Sequence, residues 1–190
     1  MSMPRRLPGW YLGVVAGAAA LRLAELALSS RHERDISGSR AAEASYPLMV
    51  ATHAALFALP LVEVAAARPR RPPTLIAVAA VALLGATFLR WWSIWSLGRA
   101  WNVRAVVADD LEPVERGPYR HIRHPNYVAV ALEMAALPLL AGAWRSAIAL
   151  SVADALVLTH RIRAEETLLD ANPTYRRRFA GRPRFIPKLI

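Results

Sequence analysis

Cysteine is absent from the 190 residues, and every basic residue apart from Lys188 and the five histidines is an arginine. Without cysteine the chain has neither disulfides nor thiolate ligands, so disulfide scaffolds and thiolate metal sites are excluded. Nowhere does a strand-like segment lead through a glycine-rich turn into a helix, which excludes a nucleotide site of the Rossmann type. The chain is dominated instead by long apolar runs.

The charged residues cluster in a few short stretches, although 20% of the chain is charged and 55% is hydrophobic. About 20 apolar residues cross a bilayer, so the runs between these stretches predict an all-α, polytopic membrane protein with about five transmembrane helices. The expected spans are 8–29, 46–67, 74–95, 127–143 and 147–158. They leave little chain over, so residues 1–190 are expected to form one membrane-embedded domain.

The first predicted span carries Gly13 and Gly17 four residues apart. This spacing of small residues suits close helix packing in lipid, although such residues are also ordinary in an alanine-rich helix. The apolar run is longer than the core of a signal peptide, so the first helix is expected to be retained.

The surplus of positive charge, +10 overall, lies mainly beside the apolar runs. That placement favours lipid headgroups over nucleic acid, and no nucleic-acid partner is expected. Most of the arginines fall in the loops 30–45 and 97–126 and in the C-terminal tail. The positive-inside rule therefore puts these segments in the cytoplasm, although the arginine-rich turn 68–73 counts against this orientation.

Several charged residues fall inside the predicted spans, among them Arg22, Glu25, Glu63, Glu133 and Asp154. Each costs at least ~2.5 kcal/mol at the bilayer centre unless it is paired or faces protein or water. Arg22 and Glu25 are three residues apart on one helical face and can pair. Glu133 lies just below the fourth span's entry, where it either lines a cavity or lies at a helix interface.

The segment 116–127 concentrates arginines, histidines and tyrosines immediately before the fourth predicted span. Gly117 and Pro118 force a turn at its start. Pro125 suits the first position of a helix, because its missing N–H is not needed there. The segment is therefore expected to turn at the membrane surface and then enter the next helix.

The polar side chains of this segment suit a ligand that is both anionic and aromatic. A helix N-terminus beside Arg123 and His124 would bind a carboxylate or phosphate. Tyr119 and Tyr127 supply aromatic faces suited to a purine or a sulfonium. The alternative is a basic belt that contacts only lipid headgroups.

A second polar element ends the fifth predicted span. Arg161 and Glu165 are four residues apart and share one helical face. The pair is either a membrane-exit signal or a holder for the amino group of an amino-acid-like cofactor. After His160 the chain is expected to be a basic, aromatic tail, which either folds back as a lid or lies on anionic lipid.

In their order along the chain, these motifs resemble the isoprenylcysteine carboxyl methyltransferase family. The matching motifs are Gly117-Pro118-Tyr119, Arg123-His124-Pro125-x-Tyr127, Arg161-Ile-x-x-Glu165-Glu166, Tyr175 and Arg184-Phe-Ile-Pro187. The Arg-His-Pro-x-Tyr part alone is less specific, since membrane phospholipid methyltransferases and sterol-reductase-like proteins share it. Segments 22–26, 31–34 and 46–53 resemble a bacterial branch of the family that is associated with type III polyketide synthases.

The resemblance implies that residues 1–96 are supporting helices and that 97–190 form a cytosolic pocket for S-adenosylmethionine, in a bacterial inner membrane. The residues expected against the cofactor are Tyr119, His121, Arg123, His124, Pro125, Tyr127 and Glu165. The residues expected to act in catalysis are Arg161, Glu165, Glu166 and Glu133. No metal site is expected, and the oligomeric state stays open.

The expected reaction is O-methylation of a lipophilic carboxylate or acidic hydroxyl, such as an alkylpyrone, with isoprenylcysteine a lesser candidate. Such an acceptor is ionised near neutral pH, so its alignment matters more than a base. The arginines suited to orient it are Arg104, Arg123 and Arg161. A neutral phenol would need a base, for which the candidates are His121, Glu133 and Glu166.

Two other functions fit the same residues. A sterol- or fatty-acyl-type reductase would use NADPH with the Arg-His-Pro-x-Tyr element. A non-enzymatic membrane scaffold would need only the basic tail. Titration with both cofactors separates the three alternatives.

Overall fold

The computed structural model describes residues 7–35, 38–40, 43–67, 69–103, 106–108 and 112–187. The α-helices in these segments are α1 (Gly9–Asp35), α2 (Tyr46–Ala67), α3 (Pro73–Leu97), α4 (Pro125–Leu140), α5 (Trp144–Ala171) and α6 (Pro173–Phe179). The fold is therefore helical, as predicted, apart from one short ribbon. Strands β1 (Gly38–Arg40) and β2 (Val106–Ala108) pair antiparallel and join the two loops that the charge pattern assigns to one side of the membrane.

Among the described residues, three helices are long and apolar enough to cross a bilayer, over Gly9–Arg34, Tyr46–Ala67 and Pro73–Ala100. Large apolar side chains on their outer faces, such as Leu84 at 71% exposed, are suited to lipid. The chain is therefore an integral membrane protein. Helix α4 has 16 residues, or about 24 Å at 1.5 Å per residue, which is shorter than ~30 Å of hydrocarbon. The predicted total of about five spans is not reached by these criteria.

Helix α5 is longer than the hydropathy pattern indicates. The sequence predicts a span that ends near Leu158 and a tail after His160, but α5 continues unbroken to Ala171. The reason is local, since this stretch is rich in alanine, glutamate and leucine and contains neither glycine nor proline. Asn172 then ends the helix and caps α6 with its side-chain oxygen. The expectation of a tail directly after His160 is therefore wrong, and the charged residues there lie on a helix.

Helix α1 meets the bundle through polar contacts as well as through Tyr11 and Val15, which belong to the apolar core. Tyr11 donates a hydrogen bond to a backbone carbonyl of α4 at 3.1 Å, and Arg22 pairs with Glu133 on the same helix. A Cβ added at Gly13 or Gly17 would meet nothing within 4 Å. The small-residue face therefore does not bring a second helix close, and space is left beside α1.

The turn between α4 and α5 packs on the turn between α2 and α3. Gly142 has a φ of +74°, and a Cβ there would lie 2.5 Å from the Arg70 carbonyl oxygen. Beneath these turns, apolar side chains from all of α1 to α5 form the core, including Leu56, Met134 and Leu150. The core thus fixes α4 and α5 as a hairpin, which the sequence predicts from the turn residues around Gly142.

Replacing Gly142 with alanine tests this contact between turns. A left-handed backbone costs an L-residue ~1–2 kcal/mol, and the added methyl group would collide with the Arg70 carbonyl, so we expect a lower melting temperature in detergent. Gly85→Ala is the matched control, since a Cβ there meets nothing within 4 Å and alanine favours helix. Equal melting temperatures for the two variants would contradict the close contact.

Candidate functional site

An open cavity lies where the loop after α3, the start of α4, the end of α5 and α6 meet. It encloses about 1040 Å³, part of which is continuous with solvent. Its aromatic and polar lining includes Trp101, Tyr119, Arg123, His124, Asn126, Tyr127, Glu165 and Tyr175. The two polar segments singled out by the sequence therefore meet in one cavity.

Tyr119 reaches the cavity because the chain turns sharply just before it. Gly117 has a φ of +60°, and a Cβ at this position would collide with the Ser96 hydroxyl on α3. Arg116 secures the turn by donating from Nε to the Ser96 carbonyl at 2.8 Å. The 3₁₀ turn over Gly117–Arg120 that follows buries the Tyr119 ring. The predicted turn at Gly117 is thus what positions the first aromatic side chain of the site.

The C-terminal segment folds back onto the start of α4. The backbone N–H groups of Arg123 and His124 donate to the carbonyls of Pro183 and Arg184, each at 3.0 Å. Arg123 also donates from Nε to the Arg182 carbonyl at 3.0 Å. Of the two expectations for the tail, folding back is therefore the one that the structure shows.

Glu166 is the centre of an ionic network that holds this segment in place. It accepts hydrogen bonds from Arg184 Nε at 3.0 Å and Nη2 at 2.6 Å, and its Oε1 lies 3.1 Å from His124 Nε2. Burial raises the pKa of Glu166, but the hydrogen bonds from Arg184 and His124 outweigh burial and hold the pKa below its ordinary 4.5. Glu166 does not line the cavity. It lies behind His124 and orients that side chain.

Glu165 faces the cavity and accepts a hydrogen bond from the Tyr127 hydroxyl at 2.6 Å. Successive residues of a helix point about 100° apart, so Glu165 serves the cavity while Glu166 serves the tail. Burial, and next the negative charge of Glu165, raise the pKa of Tyr119 and Tyr175. Both phenols are therefore neutral hydrogen-bond donors, and the acidic residues of the cavity wall are Glu165 and Glu112.

Arg161 does not line the cavity but is buried next to Tyr127, which does, and 2% of its surface is exposed. Its Nη2 donates to the Val103 carbonyl at 2.9 Å, whereas Nε and Nη1 have no hydrogen-bond partner among the described residues. Burying an unpaired donor costs ~1–3 kcal/mol, and more for a charged group. Such a guanidinium is suited to receive a carboxylate or carbonyl group of a ligand.

Besides Arg161 and Glu166, three predicted site residues do not line the cavity, namely His121, Pro125 and Glu133. His121 follows the 3₁₀ turn, is exposed, and does not line the cavity. Glu133 lies about 12 Å further along α4 than Pro125, at 1.5 Å per residue, and pairs there with Arg22. Pro125 is itself buried at the first position of α4, as predicted. Arg104 lies outside the described residues.

Among the described cavity residues that sequence reasoning missed, Trp101 and Asn126 carry unpaired polar atoms. Trp101 Nε1 and Asn126 Oδ1 are buried and have no hydrogen-bond partner within the described part of the chain. One unused donor and one unused acceptor therefore border the same space. Asn126 occupies the variable position of Arg-His-Pro-x-Tyr, which was an available signal. No sequence pattern pointed to Trp101, because its position depends on a contact between its backbone carbonyl oxygen and His32 Nδ1, which are 2.7 Å apart.

Ion pairs join the segment 112–115 to the α6 side of the cavity mouth. Arg178 lies 2.9 Å from Glu112 and 3.3 Å from Glu115, and Arg182 pairs with Glu115 as well. Exposed pairs of this kind contribute ~0.2–1 kcal/mol each. One side of the mouth is thus bordered by weak ionic contacts.

Known proteins resemble this chain in sequence. A family model described as the isoprenylcysteine carboxyl methyltransferase family matches residues 77–171. The uncharacterized protein YpbQ of Bacillus subtilis (strain 168) is 33% identical over 163 residues, which cover 84% of this chain and 95% of the relative. The family match contains the whole of α4 and α5, and with them Tyr127 and Glu165, whereas Arg184 lies beyond it.

Replacing Glu166 with glutamine tests the docking of the C-terminal segment. Hydrogen bonds to charged groups contribute ~1.5–3 kcal/mol each, so we expect trypsin to cleave after Arg184 about tenfold faster at neutral pH. Glu112→Gln, on an exposed carboxylate, is the control and should leave the rate unchanged. Since the folded-state pKa of Glu166 lies below 4.5, its contribution is complete above that pH and is lost as the pH falls through the lowered pKa. Unchanged cleavage in Glu166→Gln would contradict this role.

Proposed function

This chain belongs to the isoprenylcysteine carboxyl methyltransferase family, and we propose that it transfers a methyl group from S-adenosylmethionine to an oxygen of a lipophilic, membrane-partitioned acid. The observation that carries the proposal is the single cavity in which the Arg-His-Pro-x-Tyr segment and Glu165 meet. The family is one of membrane methyltransferases, so it favours methyl transfer over the reductase alternative.

The cavity residues fit the chemical groups of S-adenosylmethionine. Glu165 supplies a carboxylate for the amino group, and Arg123 supplies a guanidinium for the carboxylate. The unused Trp101 Nε1 and Asn126 Oδ1 offer one donor and one acceptor to the polar edge of a purine. The neutral phenols of Tyr119 and Tyr175 offer aromatic faces to the purine or to the sulfonium. These residues would hold the cofactor, which supplies an electrophilic methyl group when bound.

The chain contributes to the reaction chiefly by alignment and by exclusion of water. Methyl transfer from a sulfonium to an anionic oxygen cancels charge, so the step gains little from a strong electrostatic clamp. Holding the two reactants in line is worth up to ~7–11 kcal/mol. We assign the orientation of the acceptor oxygen to Arg161, because its Nε and Nη1 are buried and unused among the described residues and it lies next to Tyr127. An ionised acceptor needs no base.

We place the cavity on the cytoplasmic side of a bacterial inner membrane. The support is the concentration of arginines in the loops and C-terminal segment on the side of the cavity. For the acceptor we favour an alkylpyrone or a similar acidic polyketide over isoprenylcysteine. The support is the resemblance of the segments 22–26, 31–34 and 46–53 to the bacterial branch described above.

Calorimetric titration of the purified protein tests the cofactor. We expect S-adenosylmethionine to bind and NADPH not to bind. Glu165→Gln removes a charged partner worth ~1.5–3 kcal/mol, so the Kd for S-adenosylmethionine should rise about tenfold or more. Asp170→Asn, at an exposed carboxylate of α5 that does not line the cavity, serves as the control with an unchanged Kd. Absence of S-adenosylmethionine binding, or binding of NADPH alone, would overturn the proposal.

Replacing Arg161 with lysine tests the assignment of the acceptor. Lysine keeps the charge but loses the planar arrangement of donors that orients a carboxylate. We expect transfer of a tritiated methyl group into the lipid extract to fall about tenfold or more, since one hydrogen bond to an anion is worth ~1.5–3 kcal/mol. The Kd for S-adenosylmethionine should stay unchanged in the same variant. An equal loss of cofactor binding would place Arg161 at the cofactor instead.

A further inference from the structure

A second cavity opens sideways between α1 and α3, inside the membrane-spanning part of the protein. We call it the lateral groove. Its walls are largely apolar, with Val14, Leu83 and Leu84 among them, and its inner end is polar. Gly17 also borders it, and a Cβ added there would meet nothing within 4 Å. A groove with long apolar walls and one polar end is complementary in shape and polarity to an amphiphile with a single chain.

Four charged side chains form the polar end, and their charges cancel. Arg22 lies 2.6 Å from Glu25 and also pairs with Glu133, while Arg90 Nε lies 2.7 Å from Glu25. Asp154, buried and within electrostatic range of Arg22, adds a further carboxylate behind them. An anionic head brought here would lose its hydration without meeting an uncompensated positive charge. The groove therefore disfavours anions.

Two N–H groups remain unused at this polar end. Arg90 is 8% exposed, and its Nη1 has no hydrogen-bond partner in the described ranges. Arg22 Nε is also buried and has no hydrogen-bond partner in the same ranges. An uncharged oxygen acceptor that reached either donor, such as an ester or ketone carbonyl, would satisfy it without adding charge.

We propose that the lateral groove binds an uncharged, single-chain amphiphile whose head carries ester, enol-ether or ketone oxygens. The head lies at Arg22 and Arg90, and the chain lies along Val14 and Leu84 toward the lipid. The identity of this ligand rests on the proposed function: it is the methylated product of the transfer. As the S–CH₃ bond breaks and the O–CH₃ bond forms, the acceptor oxygen loses its negative charge and the sulfonium its positive charge. The product then suits the groove, and the acceptor anion does not.

Photolabelling of the full-length protein in nanodiscs tests the groove. The probes are a palmitic acid methyl ester with a mid-chain diazirine, the same chain as a free acid at neutral pH, and a phosphatidylcholine carrying that diazirine. We expect the ester to label residues 14–22 and 83–91 at least about tenfold more than the acid, which corresponds to ~1.4 kcal/mol. It should also exceed the phospholipid by a similar factor. Mass spectrometry of the labelled peptides gives these ratios.

Matched variants separate the groove from general contact with lipid. Gly17→Leu fills the groove and should remove most of the ester labelling. Gly85→Leu makes the same replacement on α3, where an added Cβ also meets nothing within 4 Å and the residue does not line the groove, and should leave labelling unchanged. Glu133→Gln removes one carboxylate from the polar end and should lower the preference for ester over acid.

Three outcomes would overturn the inference: equal labelling by acid and ester, equal labelling by phospholipid, or full ester labelling in Gly17→Leu. The labelling is performed without S-adenosylmethionine, so it is independent of the proposed transfer. Missing ester labelling in a protein that binds S-adenosylmethionine refutes the groove alone. Groove labelling in a protein that does not bind S-adenosylmethionine leaves the binding site intact and refutes the transferase function.

Discussion

A buried carboxylate is stable only where its charge is matched, and at Glu166 the matching groups come from distant parts of the chain. Arg184 belongs to the C-terminal segment, whereas His124 and Arg123, the latter at 3.8 Å, precede α4. The groups that neutralise Glu166 therefore bring three separate segments together: α5, the residues before α4 and the C-terminal segment. The cavity depends on that assembly, because His124 belongs to its wall and is held from behind by the carboxylate.

Where local rules decide the structure, the sequence was informative. Helix α2 begins and ends where the apolar run 46–67 predicts, since polar and proline-rich segments bound it on both sides. The extension of α5 was missed because charged residues resemble a loop in a hydropathy pattern, although their helix propensity is high. Asn126 lines the cavity and His121 does not. The sequence could not show this, because it depends on the register of the turn that starts at Gly117. The docking of the C-terminal segment involves partners about 60 residues apart in the chain, which no local pattern reveals.

Within the bilayer, helices gain little from burying apolar surface against each other, because lipid is equally apolar. Polar contacts then decide which helices touch. Helix α1 illustrates this, since Tyr11 and Arg22 attach it to α4 while its glycine face stays open. The charged residues that appear costly in the sequence are thus the ones that position the helix. Their arrangement also leaves the space beside α1 from which the lateral groove is built.

Helix α5 is one continuous rod of 28 residues, or about 42 Å, and it carries exposed apolar side chains in its first half and the carboxylates at 165 and 166 in its second half. Neither glycine nor proline interrupts the helix between them. Bilayers of different thickness shift or tilt such a rod at a modest cost per ångström of mismatch. Where lipid contacts the apolar half of α5, the height of Glu165 relative to the bilayer depends on the surrounding lipid as well as on the protein. Membrane thickness is then one of the variables that set the position of the proposed site.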